Sequence, residues 1–226
     1  MLITIPDVLT AQQVADFQQH LQQANWEDGK NTAGYVASQV KTNLQLPVDD
    51  PVAKQLGEFI VGVLANHPAF IAAVLPAKIL PPRFNRYQGG GTYGNHIDNA
   101  LFAVPGSAER VRTDVSSTLF LNDPSEYEGG ELIIEDTYGE QRIKLPAGHL
   151  VVYPGTSLHR VTPVTKGARL ASFFWSQSMV RHAHKRAMLW ELDQSIQEVA
   201  ARDPDSPALA NLSGVYHNLI REWAEI

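Results

Sequence analysis

The 226-residue sequence contains no cysteine. That excludes disulfides, thiolate zinc sites and cysteine nucleophiles, and it accords with a reducing compartment. Basic charge is not in excess either: 18 Lys and Arg stand against 24 Asp and Glu, a formal net charge of -6. Nucleic-acid binding needs a basic surface, so a nucleic-acid partner is not expected. No run approaches the roughly 20 apolar residues of a membrane span. The opening "MLITIPDVLTAQQ" has no basic leader and no apolar stretch of signal-peptide length. The expectation is a cytoplasmic protein with no membrane partner. Internal repeats and low-complexity tracts are also missing. What remains is an ordinary globular composition, 44% hydrophobic and 19% charged, on a chain long enough for one substantial core.

Three regions differ in pattern. Residues 1–78 read mostly as helix. In "LTAQQVADFQQHLQQ", Thr10 is placed to cap, Gln13 completes a capping box, and Val14, Phe17 and Leu21 recur at helical spacing. In "DDPVAKQLGEFIVGVLANHP", Asp50 is the cap, Pro51 suits the first turn, and Leu56, Phe59, Ile60 and Val63 form an apolar stripe. Residues 34–47 between them read as a short strand and a loop. Residues 79–178 hold seven short runs rich in β-branched and aromatic residues, among them "PRFNRYQ", "TDVSSTLFLND" and "RLASFFWSQ". Turn signals such as "NDPSEYEGG" and "TKG" separate them, with no helix pattern in between, which predicts an antiparallel barrel or jelly roll. Residues 179–226 return to helix. Leu189, Leu192, Ile196 and Val199 form one stripe, and Leu209, Leu212, Val215, Leu219 and Trp223 another, with Ser206 as the second cap and Pro207 in the first turn. A helical hairpin packed on the barrel follows.

The candidate chemistry sits in "YGNHIDNA". On extended chain, residues i and i+2 share a face, so His96 and Asp98 point to one site. His159 follows another strand, "VVYP". Two imidazoles and one carboxylate make the facial triad of non-heme Fe(II), which leaves three coordination positions open. His-x-Asp alone is a weak signal. A fourth residue strengthens it: Arg169 lies ten positions after His159, and a hairpin at "TKGA" would fold it back toward the metal. Its planar fork matches a carboxylate, pointing to a dicarboxylate bridging metal and arginine. His20, His67, His149 and His217 read as ordinary surface or core residues, and His182 and His184 as a solvated helix end.

Taken together, "HIDNA", "GGELIIE", "AGHLVVYPGTSLHRVTPVTKGARLASFFWSQS" and "RHAHKRAMLWELDQSI" resemble the PKHD-type hydroxylases over nearly the whole chain. These are bacterial Fe(II)/2-oxoglutarate dioxygenases related to prolyl 4-hydroxylases, and they include the iron-uptake-associated PiuC group. The resemblance implies an α+β fold: a double-stranded β-helix (jelly roll) core with N-terminal helices and a C-terminal helical hairpin. It divides the chain into a helical support at 1–78, the catalytic core at 79–178 and the hairpin at 179–226. It assigns Fe(2+) to His96, Asp98 and His159, and the distal carboxylate of 2-oxoglutarate to Arg169, where related prolyl hydroxylases often have Lys. Tyr87 is expected to assist Arg169. L-ascorbate is implied as a cofactor that re-reduces iron. Dioxygen and 2-oxoglutarate are the implied partners of an unidentified protein or small-molecule substrate, with a homo-oligomer open. Related halogenases lack the carboxylate, so Asp98 favours hydroxylation. Asn85 and Trp175 are further candidates beside the metal, or packing residues. Gly89–Gly91 are expected to form a mobile turn, and "VKTNLQL" to wall the substrate mouth. The alternative is a cupin-like iron-binding or sensor protein, for which a buried Arg169 has no use.

Overall fold

The structure, a computed structural model, describes residues 1–32, 38–104 and 106–225. Residues 34–37 of the predicted strand-and-loop segment lie outside that description. The chain opens with β1 (Ile3–Ile5), α1 (Ala11–Gln22), β2 (Glu27–Asp28), β3 (Lys41–Thr42) and β4 (Leu44–Gln45). Helices α2 (Pro51–Leu64) and α3 (Pro68–Val74) follow, then β5 (Pro76–Ile79), β6 (Arg83–Gln88), β7 (Thr92–His96), β8 (Leu101–Ala103) and β9 (Arg110–Arg112). The central strands are β10 (Val115–Phe120), β11 (Tyr127–Gly129), β12 (Leu132–Asp136), β13 (Gly139–Ile143), β14 (Leu150–Pro154), β15 (His159–Val161) and β16 (Val164–Ser178). Two helices close the chain, α4 (Ala183–Arg202) and α5 (Ala208–Trp223).

The N-terminal caps are those the sequence predicts. Thr10 Oγ1 accepts from Gln13 N–H at 3.3 Å while Gln13 Oε1 accepts from Thr10 N–H at 2.8 Å. Asp50 Oδ1 accepts from Val52 and Ala53 N–H at 2.8 and 3.0 Å, ahead of Pro51. Phe59 departs from the predicted stripe. Leu56, Ile60 and Leu64 take the buried i, i+4 line, and Phe59 sits on the shoulder, 43% exposed, with its ring edge-on to Phe17. His67, read as an ordinary residue, caps α3 by accepting from Phe70 N–H. Region 1–78 is also less helical than expected, because β1 to β4 pair with the strands that follow. Three residues such as "ITI" are too short to carry a period, yet Ile3, Thr4 and Ile5 register against Val152, Val151 and Leu150.

All strand pairs among the described residues are antiparallel. One sheet runs β1-β14-β10-β16-β6-β4-β2, with β5 and β11 also paired to β16; the other runs β13-β12-β15-β7-β3; β8 and β9 form a separate hairpin. The larger sheet is covered on both faces, which explains why every residue of β10 is buried. Val115 and Leu119 on β10, Leu150 and Val152 on β14, and Phe84 and Phe174 pack with α1, α2 and α3. The alternate residues Phe120, Val151, Tyr153 and Tyr87 face the smaller sheet, meeting Leu132, Ile134, Ile143 and Val161. This second layer holds the cleft described below.

The C-terminal hairpin docks through Leu75, Val180 and Leu189, with Tyr216, Leu219 and Trp223 packed against them. Arg186 is buried and donates to the carbonyls of Val180, Arg181 and Asp114, pinning α4 to the sheets. Pro207, not Ser206, occupies the cap position of α5, with no side-chain cap bond. Val215 is 51% exposed, and Tyr216 takes its place in the stripe because the hairpin contact rotates that line by one residue. No single helix among the described residues is long and apolar enough to cross a membrane.

Candidate active site

His96 ends β7 and His159 begins β15, and the two are register partners across that pair of strands. Their rings lie 4.1 Å apart. Asp98 follows two residues after His96, beyond the strand. Its Oδ1 is 3.8 Å from His96 Nε2 and its Oδ2 is 3.8 Å from His159 Nε2. Candidate ligand atoms of all three lie within 4.8 Å of one another, close enough to hold one metal ion. The side chains of His96, Asp98 and His159 are 7%, 11% and 6% exposed.

The surroundings prepare these groups as ligands. His96 Nδ1 lies 2.8 Å from Gly94 O and His159 Nδ1 lies 3.0 Å from Ser157 O. With protons on both Nδ1 atoms, each Nε2 presents its lone pair to the shared space. Burial, then the neighbouring His159, pushes the His96 pKa down to about 4, so its imidazole is neutral at pH 7. Tyr93 stacks on His96 at 3.5 Å and Tyr153 meets His159 edge-on at 5.2 Å, fixing both rings. Asp98 Oδ2 accepts from Ser116 Oγ at 2.7 Å and from Trp175 Nε1 at 2.8 Å. Trp175, an open candidate in the sequence, therefore orients the carboxylate. Ser116 was not foreseen; it is one of three successive hydroxyl residues, Ser116, Ser117 and Thr118, in a strand buried throughout, and nothing in the sequence singles it out.

The same cleft is lined by Arg169, Tyr87 and Asn85 as well as the three candidate ligands. Arg169 reaches it by a different route from the predicted one. β15 and β16 belong to different sheets, and the chain crosses between them at Thr162–Pro163. "TKG" is not a hairpin turn but part of β16, where Tyr127 registers against Gly167. Arg169 therefore faces the histidines from the opposite sheet. It is 1% exposed and forms no ion pair among the described residues, and its Nε has no hydrogen-bond partner. Its guanidinium lies 5.5 Å from the Tyr87 ring and 5.1 Å from the Phe120 ring. Burial raises the Tyr87 pKa to about 12, keeping the phenol neutral. A buried cation without a counter-ion fits a carboxylate that arrives with a ligand. The donor set and this orphaned cation together fit Fe(II) and 2-oxoglutarate.

Other expectations resolve in the same place. Asn85 is buried on β6 and its Oδ1 has no hydrogen-bond partner among the described residues. Lys41, from "VKTNLQL", lines the cleft and donates to Gln45. The glycine turn after β6 is tied down, with Gly90 N–H on Val164 O at 2.8 Å and Val164 N–H on Gly91 O at 3.0 Å.

Residues 82–177 match the 2OG-Fe(II) oxygenase superfamily, and residues 184–225 match the PKHD-type hydroxylase C-terminal domain. A PKHD-type hydroxylase of Parvibaculum lavamentivorans is 60% identical over 99% of both chains. The PKHD-type hydroxylase PiuC of Pseudomonas aeruginosa is 57% identical over the full length of both. Among solved structures, a Pseudomonas putida prolyl-4-hydroxylase shares the fold at TM-score 0.53 and 20% identity, covering 78% of this chain and 92% of its own. HygX of Streptomyces hygroscopicus, solved with nickel, 2-oxoglutarate and hygromycin B, does so at TM-score 0.54 and 15% identity, covering 78% and 82%. With full-length identity at this level, the chain belongs to the PKHD-type hydroxylases and is a 2-oxoglutarate-dependent dioxygenase that works with Fe(II).

Proposed function

We propose that His96, Asp98 and His159 hold the iron, that Arg169 anchors the distal carboxylate of 2-oxoglutarate, and that the enzyme hydroxylates an unactivated C–H bond. Fe(II) and 2-oxoglutarate, when bound, supply dioxygen activation coupled to oxidative decarboxylation to succinate and CO2. The chain's own residues position and shield. The two histidines and Asp98 approach from one side and leave the opposite side open to ligands. Ser116 and Trp175 hold the Asp98 carboxylate in one orientation. Tyr87 and Phe120 flank the Arg169 guanidinium and keep water from competing for it. We read the two facing sheets as a double-stranded β-helix over residues 79–178, supported by 1–78 and by the hairpin of 179–226.

The observation that carries this reading is the buried, uncompensated Arg169 in the same cleft as the triad. A cupin-like iron-binding protein has no need of it. The primary substrate is a prolyl-type peptide side chain or a small molecule, and the protein acts in the cytoplasm. The resemblance also implies a link to iron uptake, which a rise in protein level on iron starvation would test. Ascorbate is expected to prolong turnover by re-reducing iron.

The test is succinate formation from Fe(II), 2-oxoglutarate and dioxygen. Slow succinate release without added substrate is expected, lost in Asp98→Ala and shifted to much higher 2-oxoglutarate in Arg169→Ala. No succinate, together with no 2-oxoglutarate-dependent absorption band on anaerobic Fe(II) protein, would return the protein to the metal-binding class.

A further inference from the structure

A second cation, Arg83, lines the cleft without a counter-ion among the described residues. Arg83, Asn85 and Tyr87 alternate along β6 and so share its inward face. On β16 their register partners are Phe173, Ala171 and Arg169. Tyr87 and Arg169 thus mark one end of this ladder, and Arg83 lies at the other, four residues or roughly 13 Å away. Its guanidinium stands 5.2 Å from the Phe102 ring and 5.4 Å from the Trp175 ring, and those two rings stack at 4.4 Å. Trp175 in turn donates to Asp98. Arg83 is therefore one indole removed from the proposed iron, on the side away from Arg169. The five-carbon chain of 2-oxoglutarate cannot bridge both arginines.

Among the described residues the Arg83 side chain makes no hydrogen bond and no ion pair. It is only partly exposed, and it lines the cleft. Burial lowers its pKa and no carboxylate offsets the effect. Lys41, tied to Gln45, adds a second positive charge at the same mouth; burial and then Arg83 lower its pKa to about 8. Two cations that disfavour each other, beside an aromatic ring and an open cleft, make a receptor for an anion.

We propose that Arg83, held against Phe102 and Trp175, recognises a carboxylate on the primary substrate and so selects acidic substrates. This rests on the preceding reading, in which Arg169 is taken by 2-oxoglutarate. Arg83 is then a specificity residue whose planar fork receives the substrate carboxylate while Phe102 receives its apolar portion.

The test uses full-length protein loaded with Mn(II) in place of Fe(II) and titrated first with 2-oxoglutarate, then with matched acid and amide probes. Benzoate against benzamide represents a small-molecule acid. N-acetyl-glutamate amide against N-acetyl-glutamine amide represents an acidic side chain in a peptide. At least one acid is expected to bind about tenfold or more tightly than its amide. Arg83→Met should bring that ratio to near one, and Arg83→Lys should recover part of it. The pair that shows the preference names the source of the carboxylate. A role in packing alone would lower the melting temperature and leave the ratio unchanged, overturning the proposal. So would failure of both acids to bind once 2-oxoglutarate is in place. Absence of metal-dependent 2-oxoglutarate binding in the first titration would instead sink the reading beneath it.

Discussion

Gly130 is expected to be indispensable although it carries no functional group. It sits at φ +65°, and a Cβ built there lies 2.9 Å from Tyr127 Cε2, 2.9 Å from Val164 Cγ2 and 3.1 Å from Arg169 Cδ. Gly130→Ala therefore meets two costs. Left-handed backbone costs a residue with Cβ about 1–2 kcal/mol. Forcing a methyl into a packed layer costs about 1–3 kcal/mol more. The sum is a loss on the order of 2–5 kcal/mol, readable by urea denaturation of the metal-free protein. The methyl also presses on the stem of the proposed 2-oxoglutarate anchor. A guanidinium moved by a fraction of an ångström should raise the 2-oxoglutarate requirement by roughly 10- to 100-fold. Gly62→Ala is the control. Gly62 lies within α2 with nothing within 4 Å of a built Cβ, so alanine should stabilise by about 0.5–1 kcal/mol and leave 2-oxoglutarate affinity unchanged. A Gly130→Ala protein as stable as the parent, with equal 2-oxoglutarate affinity, would refute the argument that this close approach fixes Arg169.

Two other perturbations follow from the same geometry. Trp175→Phe and Ser116→Ala each remove one donor to Asp98 Oδ2; each should weaken metal binding by roughly 10- to 100-fold, read by competition with a chelator, and unchanged affinity would deny them that role. Lys41 has its pKa lowered from 10.5 to about 8, chiefly by burial. Below pH 8 both folded and unfolded states are charged and folding carries a penalty of about 3 kcal/mol; the penalty fades as the folded protein sheds the proton above pH 8. The metal-free protein should therefore gain stability between pH 7.5 and 9.5 by denaturant titration, and Lys41→Met should flatten that rise; an equal rise in the variant would assign it elsewhere.

The strands of the central region were legible because burial on both faces favours runs of apolar, β-branched and aromatic residues, as in β14. The caps of α1 and α2 were legible because capping is local. His96 and Asp98 were legible because two residues on extended chain share a face. What escaped the sequence was set by contacts between distant segments. β1 is three residues long and exists only because β14 offers it an edge. The bonds that hold Asp98 come from 18 and 77 residues away. Arg169 was expected through a hairpin and arrives from the opposite sheet, since the crossover at Thr162–Pro163 carries no stronger turn signal than "TKG". The hairpin of β8 and β9 went unread as well, and with it Phe102, the ring against which Arg83 rests.

The most direct test of the central claim is calorimetric titration of 2-oxoglutarate into metal-free and Mn(II)-loaded protein. Bridging between the triad and Arg169 predicts binding only when the metal is present. It predicts loss of metal and 2-oxoglutarate together in Asp98→Ala. In Arg169→Ala, metal should be retained with 2-oxoglutarate weakened on the order of 100-fold, as removing one partner of a buried charged pair requires. Tight 2-oxoglutarate binding without metal, or unchanged affinity in Arg169→Ala, would contradict the account.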